Sequence, residues 1–282
     1  AKELKEYKMK SYILVFLSIF MISCEDISKK TKLFIFDCGL LQLEDISNFS
    51  LKNSDTNVRD LFVPCYLIEH PKGKLLWDAG LPIEIAGQGS ITRPNGIKVS
   101  YKKSLLDQLD EINISPDQID FVAISHMHWD HVGASSIFPE STLLIQEKEY
   151  EAAFISPDEY DVFNLDDYSS LTKNPRVLLN GDYDVFGDGS AIILSAPGHT
   201  PGHQALLVNL ENDGAIILSG DLYHFEISRS IQAVPVFNTD KEETLRSMKK
   251  IEDKVIKENA QFWIEHSLEL ANGLKLSPEF YN

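Results

Sequence analysis

The 282-residue chain has little cysteine, little positive charge and no apolar stretch of bilayer length. Its three cysteines, Cys24, Cys38 and Cys65, form no Cys-x-x-Cys pair and none neighbours a histidine, which argues against a thiolate metal site. Lys and Arg number 26 against 43 Asp and Glu, a formal net charge of −17. Such a surface repels phosphate backbones, so no nucleic-acid partner is expected. The apolar run Tyr12–Ile22 is shorter than the about 20 residues a helix needs to cross a bilayer. No internal repeat or domain boundary stands out after residue 32. Core material is not lacking, because 43% hydrophobic and 10% aromatic residues exclude global disorder.

The N-terminal region reads as a targeting segment. Lys2, Lys5, Lys8 and Lys10 precede the apolar run, Met9 is placed as a start residue, and the run has the length of a signal-peptide core. It closes on Met21-Ile22-Ser23-Cys24, which resembles the lipobox of bacterial lipoproteins, where the cysteine is lipidated and becomes the new N-terminus. Residues 1–24 are then a signal peptide with a lipobox-like end, 25–31 a tether and 32–282 one folded domain. On this reading the protein is exported to a bacterial cell envelope, and a lipid anchor is its only membrane contact. Cys38 and Cys65 lie in apolar, strand-like stretches and read as buried free thiols, although an oxidising compartment would let them pair.

Short β-rich runs open the domain at Leu33–Phe36, Phe62–Glu69 and Lys74–Trp77. The last two are joined by hairpin chemistry at His70-Pro71-Lys72-Gly73, with His70 expected as an exposed turn residue. Residues 81–99 carry prolines and glycines without periodicity and read as a long loop, a candidate lid or binding wall. Ser104–Ile112 has helical spacing, and Ser115-Pro116-Asp117-Gln118 is a helix opening. Phe121–Ser125 and Thr142–Ile145 are expected strands, Gln146–Phe154 a helix, and Asp158–Ser169 an exposed acidic and aromatic excursion. Strands follow at Ala191–Leu194, Gln204–Val208, Ala215–Leu218 and Gln261–Ile264. Thr239–Asn259 is an amphipathic helix with Leu245, Met248, Ile251 and Val255 on one face. The mixed order points to an α+β domain.

The residues that carry chemistry are histidines, seven of the eight lying between positions 126 and 266. Four donors fall within six residues as His126-x-His128-x-Asp130-His131. At the end of an extended segment the rings of His126 and His128 can face one side, and Asp130 and His131 come from the turn that follows. Imidazole and carboxylate are the usual ligands of zinc and similar divalent ions. Three further donors stand where apolar strands give way to turns: His199 in Pro197–His203, Asp221 in Ser219-Gly220-Asp221, and His266 after Glu265. Asp78, at a strand end beside Ala79 and Gly80, is either a brace for the metal loops or a plain turn residue.

In this order and spacing the donors resemble the metallo-β-lactamase superfamily in its dinuclear hydrolase form, over nearly everything from residue 32 to the end. The resemblance implies a four-layer αβ/βα sandwich with two divalent metal ions at one edge, between two sheets. It implies His126, His128 and His199 on one ion, Asp130, His131 and His266 on the other, and Asp221 bridging. Zinc is the expected metal, with manganese, iron and cobalt as alternatives. The stretches Leu76–Gly80, Gly198–Gln204 and Leu276–Tyr281 look most like the N-acyl homoserine lactonase group, which implies a small-molecule lactone substrate. Members of that group often carry a tyrosine three residues after the bridging aspartate, positioned to polarise the substrate carbonyl. Here His224 holds that place, preceded by Tyr223, and either is a candidate proton donor. His203 reads as a support for the ligands, and Trp129 as a contact for an apolar substrate arm or a packing residue.

Two divalent ions lower the pKa of a shared water. The implied reaction is attack of the resulting hydroxide on a carbonyl, with Asp130 as a catalytic proton shuttle to the leaving oxygen. Phosphotriester, thioester and β-lactam hydrolases use the same scaffold. A β-lactamase usually lacks the bridging aspartate, and a glyoxalase-type thioesterase carries a further helical domain. A non-catalytic metal-binding lipoprotein would not require the complete donor set.

Overall fold

A computed structural model describes residues 30–94 and 96–282. The leader, Cys24 and most of the tether lie outside the described residues. The first sheet contains β1 (Lys32–Gln42), β2 (Asp60–His70), β3 (Gly73–Trp77), β4 (Ser90–Thr92), β5 (Lys98–Ser100), β6 (Phe121–Ala123), β7 (Thr142–Gln146) and β8 (Arg176–Leu179). Their spatial order is β4-β5-β1-β2-β3-β6-β7-β8. The second contains β9 (Tyr183–Asp184), β10 (Ala191–Ser195), β11 (Gln204–Leu210), β12 (Gly214–Leu218) and β13 (Gln261–Trp263), in the order β13-β12-β11-β10-β9. The helices are α1 (Leu105–Glu111), α2 (Trp129–Val132), α3 (Glu147–Tyr150), α4 (Glu226–Ile231), α5 (Lys241–Glu258) and α6 (Leu268–Ala271).

Period-2 alternation sorts the apolar residues into layers. In β1, Leu33 and Ile35 pack between the sheets against Ile193, Leu206 and Leu218, whereas Phe34 and Phe36 face the opposite side, where Leu105 and Leu109 of α1 cover them. On the far side, Leu194, Leu207 and Ile217 of the second sheet meet Met248 and Ile251 of α5. Both faces of each sheet are therefore buried, which gives the expected four-layer αβ/βα sandwich. Helix α5 is capped by Asp240, whose Oδ1 accepts from Glu243 N–H at 2.8 Å.

Four local expectations are corrected. Cys38 and Cys65 are joined in a disulfide rather than lying as free thiols. Pairing of β1 with β2, with a register shift between Asp37 and Leu40, sets their Cα atoms 5.8 Å apart, well within bridging range. Residues 81–99 are not one loop: β4 and β5 form a hairpin that pairs with β1, each strand being too short to show alternation. The 158–169 segment turns its aromatics inward. Phe163 and Tyr168 are buried, and the Tyr168 hydroxyl donates to Ala153 O at 3.0 Å. His70 is no exposed turn residue, since its ring stacks on Phe186 with centroids 4.1 Å apart and its Nε2 lies 3.1 Å from Asp188.

The disulfide closes a 27-residue separation and should contribute about 3 kcal/mol by restricting the unfolded chain. Cys38→Ala/Cys65→Ala is expected to lower the melting temperature by roughly 6–12 °C in calorimetry. An unchanged midpoint would show that the sheet alone sets stability there.

Candidate metal centre

Strand β6 ends at Ala123, and the next eight residues carry His126, His128, Asp130 and His131 to the edge of the first sheet. Asp78, at the end of β3, fixes this loop. Its carboxylate accepts from Ser125 N–H at 2.6 Å, Ser125 O–H at 2.8 Å and His131 Nδ1 at 2.8 Å. Ala79 N–H also donates to His131 O at 2.7 Å, which ties the two loops together. Asp78 is thus a brace and not a plain turn residue.

The second sheet supplies the other donors. His199 follows β10, in a loop where Gly198 passes so close to α5 that a Cβ would stand 2.2 Å from Thr244 N. Asp221 follows β12. Gly220 before it adopts φ +52°, and a Cβ there would meet His203 Nε2 at 2.5 Å. That nitrogen accepts from Asp221 N–H at 2.9 Å while His203 Nδ1–H donates to Ala196 O at 2.9 Å, so His203 supports the carboxylate from behind. His266 follows β13.

Four of the five donor rings are oriented by a partner on the other nitrogen, while His128 turns Nδ1 to the centre and its buried Nε2 has no hydrogen-bond partner. His131 Nδ1 faces Asp78, His266 Nδ1 is 2.7 Å from Phe62 O, His199 Nδ1 is 2.9 Å from Asn238 Oδ1, and His126 Nδ1 is 3.0 Å from Ser125 Oγ. These partners assign the hydrogen to Nδ1 and leave the Nε2 lone pairs converging on Asp221. Acceptors facing acceptors in a buried volume call for a cation. The orphaned buried atoms agree, since Asp221 Oδ1 has no hydrogen-bond partner.

The spacing has the size of divalent coordination. Four donors about 2.0–2.1 Å from one ion stand about 3.3–3.4 Å apart at tetrahedral corners. In one set, His199 Nε2 is 3.1 Å from His126 Nε2 and 3.2 Å from His128 Nδ1, and Asp221 Oδ2 is 3.5 Å from His126 and 3.3 Å from His199. In the other, His131 Nε2 and His266 Nε2 are 3.3 Å apart, and Asp221 Oδ1 is 3.2 and 3.0 Å from them. Asp130 Oδ2 joins this set 3.8 Å from His266. Asp221 therefore offers one oxygen to each set.

Burial pushes the His126 and His128 imidazoliums well below the usual histidine range, which suits neutral ligands. Burial opposes protonation of His266 as well, but Asp221 outweighs it and raises that ring to about 9. Burial would raise Asp221, yet the surrounding imidazoles, His266 foremost, hold it well below the usual carboxylate range.

His224 stands at this centre, with Nε2 3.0 Å from Asp221 Oδ2 and its ring nearly parallel to His266. Tyr223 does not. The alternation that turns His224 inward sends Tyr223 to the other side, where its hydroxyl lies 3.3 Å from Glu252. Trp129 lines the pocket, under the Arg93 guanidinium 3.7 Å from its ring centre.

Three supports carry no local sequence signal. Glu149 of α3 accepts from Met127 N–H at 2.9 Å and Gly202 N–H at 2.8 Å, tying the two ligand loops together. Glu265, pushed up to about 8 by burial and then by the Asp78 charge, accepts from Trp77 Nε1–H and Gly220 N–H. Asn238 orients His199. Only contacts across long separations reveal them.

Above the donors opens a pocket of about 570 Å³. Its walls include Leu41, Leu43, Phe49, Leu61, Ile97 and Phe237, with His128, Asp130, Asp221, His224 and His266 at its base. Phe49 packs edge-on against His224 and Phe237, and Asn48 O accepts from Val236 N–H at 2.8 Å, joining two wall segments.

Residues 58–257 match the family described as the metallo-beta-lactamase superfamily. The chain is 30% identical over 261 residues to the N-acyl homoserine lactonase AttM of Rhizobium radiobacter, covering 89% of this chain and 98% of that protein. It is 26% identical over 258 residues to the N-acyl homoserine lactonase AiiA of Bacillus thuringiensis subsp. kurstaki, with coverages of 88% and 98%. Among solved structures, an N-acyl homoserine lactone hydrolase with the product N-hexanoyl-L-homoserine bound at its catalytic metal centre superposes with a TM-score of 0.75 at 26% identity, covering 89% of this chain and 99% of that one.

Asn238→Ala should leave the fold intact and weaken metal binding about 10–100-fold, because His199 loses its orienting partner. Competition with a chromophoric chelator measures this, and an unchanged affinity would remove Asn238 from the centre.

Proposed function

Because the chain belongs to the metallo-β-lactamase superfamily, we propose that it is a two-metal, zinc-dependent lactonase that opens N-acyl homoserine lactone-type rings. The observation that carries this reading is the Asp221 carboxylate, divided between two complete donor sets beneath an apolar pocket. The similar lactonases support the same chemistry.

Zinc ions, when bound, would supply Lewis acidity toward a carbonyl and a water that ionises near neutral pH. His126, His128 and His199 would hold one ion, Asp130, His131 and His266 the other, with Asp221 common to both. Asp130 lines the pocket and is placed to carry a proton to the departing alkoxide oxygen. His224, where the resemblance leads one to expect a tyrosine, lines the pocket with Nε2 3.0 Å from Asp221 Oδ2 and would donate to the reacting oxygen. Phe49, Phe237 and the leucines of the wall hold the acyl arm and exclude water.

Metal-replete protein should open acyl homoserine lactones in preference to phosphotriesters and β-lactams. Each added acyl methylene should raise kcat/KM by up to about fourfold while the pocket has room, from about 0.8 kcal/mol per buried CH₂. Asp221→Ala should bind one ion or fewer by elemental analysis, and His224→Ala should keep both ions but lose about a hundredfold in kcat. Two ions retained without Asp221 would defeat the bridging assignment, and an inert lactone series would defeat the lactonase reading.

Export completes the proposal. The Cys38–Cys65 disulfide supports it, because such bonds persist in oxidising compartments. No helix among the described residues is long and apolar enough to cross a membrane. The proposed attachment point is Cys24 of the lipobox-like stretch, which lies outside them. Full-length protein expressed in bacteria should fractionate with the envelope and take up labelled palmitate, and Cys24→Ala should abolish the label. A cytosolic, unlabelled wild type would refute both.

A further inference from the structure

The Cys38–Cys65 bridge is buried, and both of its flanks lead to the same half of the metal centre. On one flank lies the turn after β3. Gly80 comes so close that a Cβ on it would stand 2.3 Å from Cys38 Cβ and 3.0 Å from Cys65 Sγ. Leu81 N–H donates to Cys38 O at 3.2 Å, which seats the turn on the bridge. The other side of that turn grips the ligand loop. Gly80 O accepts from Gly133 N–H at 2.7 Å, and Ala79 O accepts from Ala134 N–H at 3.0 Å. Asp78, whose carboxylate faces His131, has φ +57°. A residue with a side chain keeps this left-handed conformation only where its surroundings enforce it.

On the other flank lies β2. Phe62, three residues before Cys65, holds His266 twice. Its N–H donates to His266 O at 3.1 Å, and its carbonyl lies 2.7 Å from His266 Nδ1. Cys38 falls in the register shift between Asp37 and Leu40, where ladder pairing of β1 with β2 lapses, so the bridge joins the strands where hydrogen bonds do not. His131 and His266 thus both hang on backbone that one covalent bond connects. In the other set only His126 reaches the bridge, through Ser125 and Asp78, while His199 depends on Asn238.

We propose that the Cys38–Cys65 bridge is a positioning element of the metal centre, holding Asp130, His131 and His266 for their ion, an inference that rests on the two-metal reading above. Bond and ion then stabilise each other, because coupling between two sites is reciprocal. Two glutathione molecules can open the bond by supplying two electrons and two hydrogens. The S–S bond breaks, Cys38 and Cys65 become thiols, and one glutathione disulfide forms. The strands and the turn keep their hydrogen bonds but lose their fixed spacing. The ion should then bind about tenfold more weakly, the lower end of the loss when a ligand's orienting partner is removed.

The test uses manganese, an ion that thiols bind poorly, in competition with a chelator. Relative to the oxidised wild type, one ion should weaken about tenfold in Cys38→Ala/Cys65→Ala and the other less than about threefold. In a His199→Ala background, which spares Asp130, His131 and His266, removing the bridge should still cost about tenfold, and in His266→Ala less than about threefold. Ile251→Ala, on α5 behind the second sheet, loses comparable stability and should bind both ions as the wild type does. A second arm needs no substitution. In glutathione buffers, saturating manganese should raise by about tenfold the ratio of squared glutathione to glutathione disulfide that opens half the bridges, read by thiol trapping. A folded double-alanine variant with wild-type affinities overturns the proposal. So does a wild-type bridge indifferent to manganese, or an Ile251→Ala loss equal to that of the double variant. If the wild type takes up one ion only, the two-metal reading has failed, and the affinity of that ion with and without the bridge decides the positioning role separately.

Discussion

The structure turns on a repulsion. Asp221 is buried among imidazole nitrogens whose hydrogens are held on the far sides of their rings by Asp78, Phe62, Asn238 and Ser125. Lone pairs therefore face a carboxylate at the buried base of the pocket, an arrangement that costs free energy until a cation or protons enter it. The Asp221 charge raises His266 to about 9 despite its burial. Everything around the centre serves to keep these acceptors aimed at each other.

Much of that service comes from buried carboxylates that ligate nothing. Asp78 clamps the loop of His126 to His131, Glu149 ties it to the loop of His199, and Glu265 links Trp77 of the first sheet to Gly220 of the second. Each accepts at least two hydrogen bonds from groups far apart in the chain. The centre thus sits at a seam, with four donors from the first sheet and three from the second. The sandwich supplies the distance between the donor sets, and the carboxylates supply its tolerance.

The legible part of this arrangement was local chemistry and order. His126-x-His128-x-Asp130-His131 announces a metal because four donors fall within one turn of chain, and Gly198-His199, Gly220-Asp221 and His266 follow at strand ends in the sequence the resemblance requires. The α5 helix and the strands of the second sheet are legible because their periodicity is long enough to read. What escaped depends on partners far along the chain. Cys38 finds Cys65 through sheet pairing, Asn238 finds His199 through a loop crossing, and Glu149 is one acidic residue among many in a helix. The choice between Tyr223 and His224 is a matter of one residue's alternation, which no spacing argument resolves. The β4–β5 hairpin was missed because three-residue strands carry no period.

The walls of the pocket have a consequence for how the protein can change over time. The segments around residues 41–49, 90–100 and 158–169 shape the cavity and contribute no donor, so insertions or replacements there can redirect the catalyst to new molecules while its inorganic chemistry stays as it is. The wall at 234–238 is different. Phe237 faces the cavity and Asn238, its neighbour, steers His199, so an alteration of this stretch reaches both the guest and the ions. Diversification among kindred enzymes should therefore be lopsided, free along three sides of the opening and constrained along the fourth.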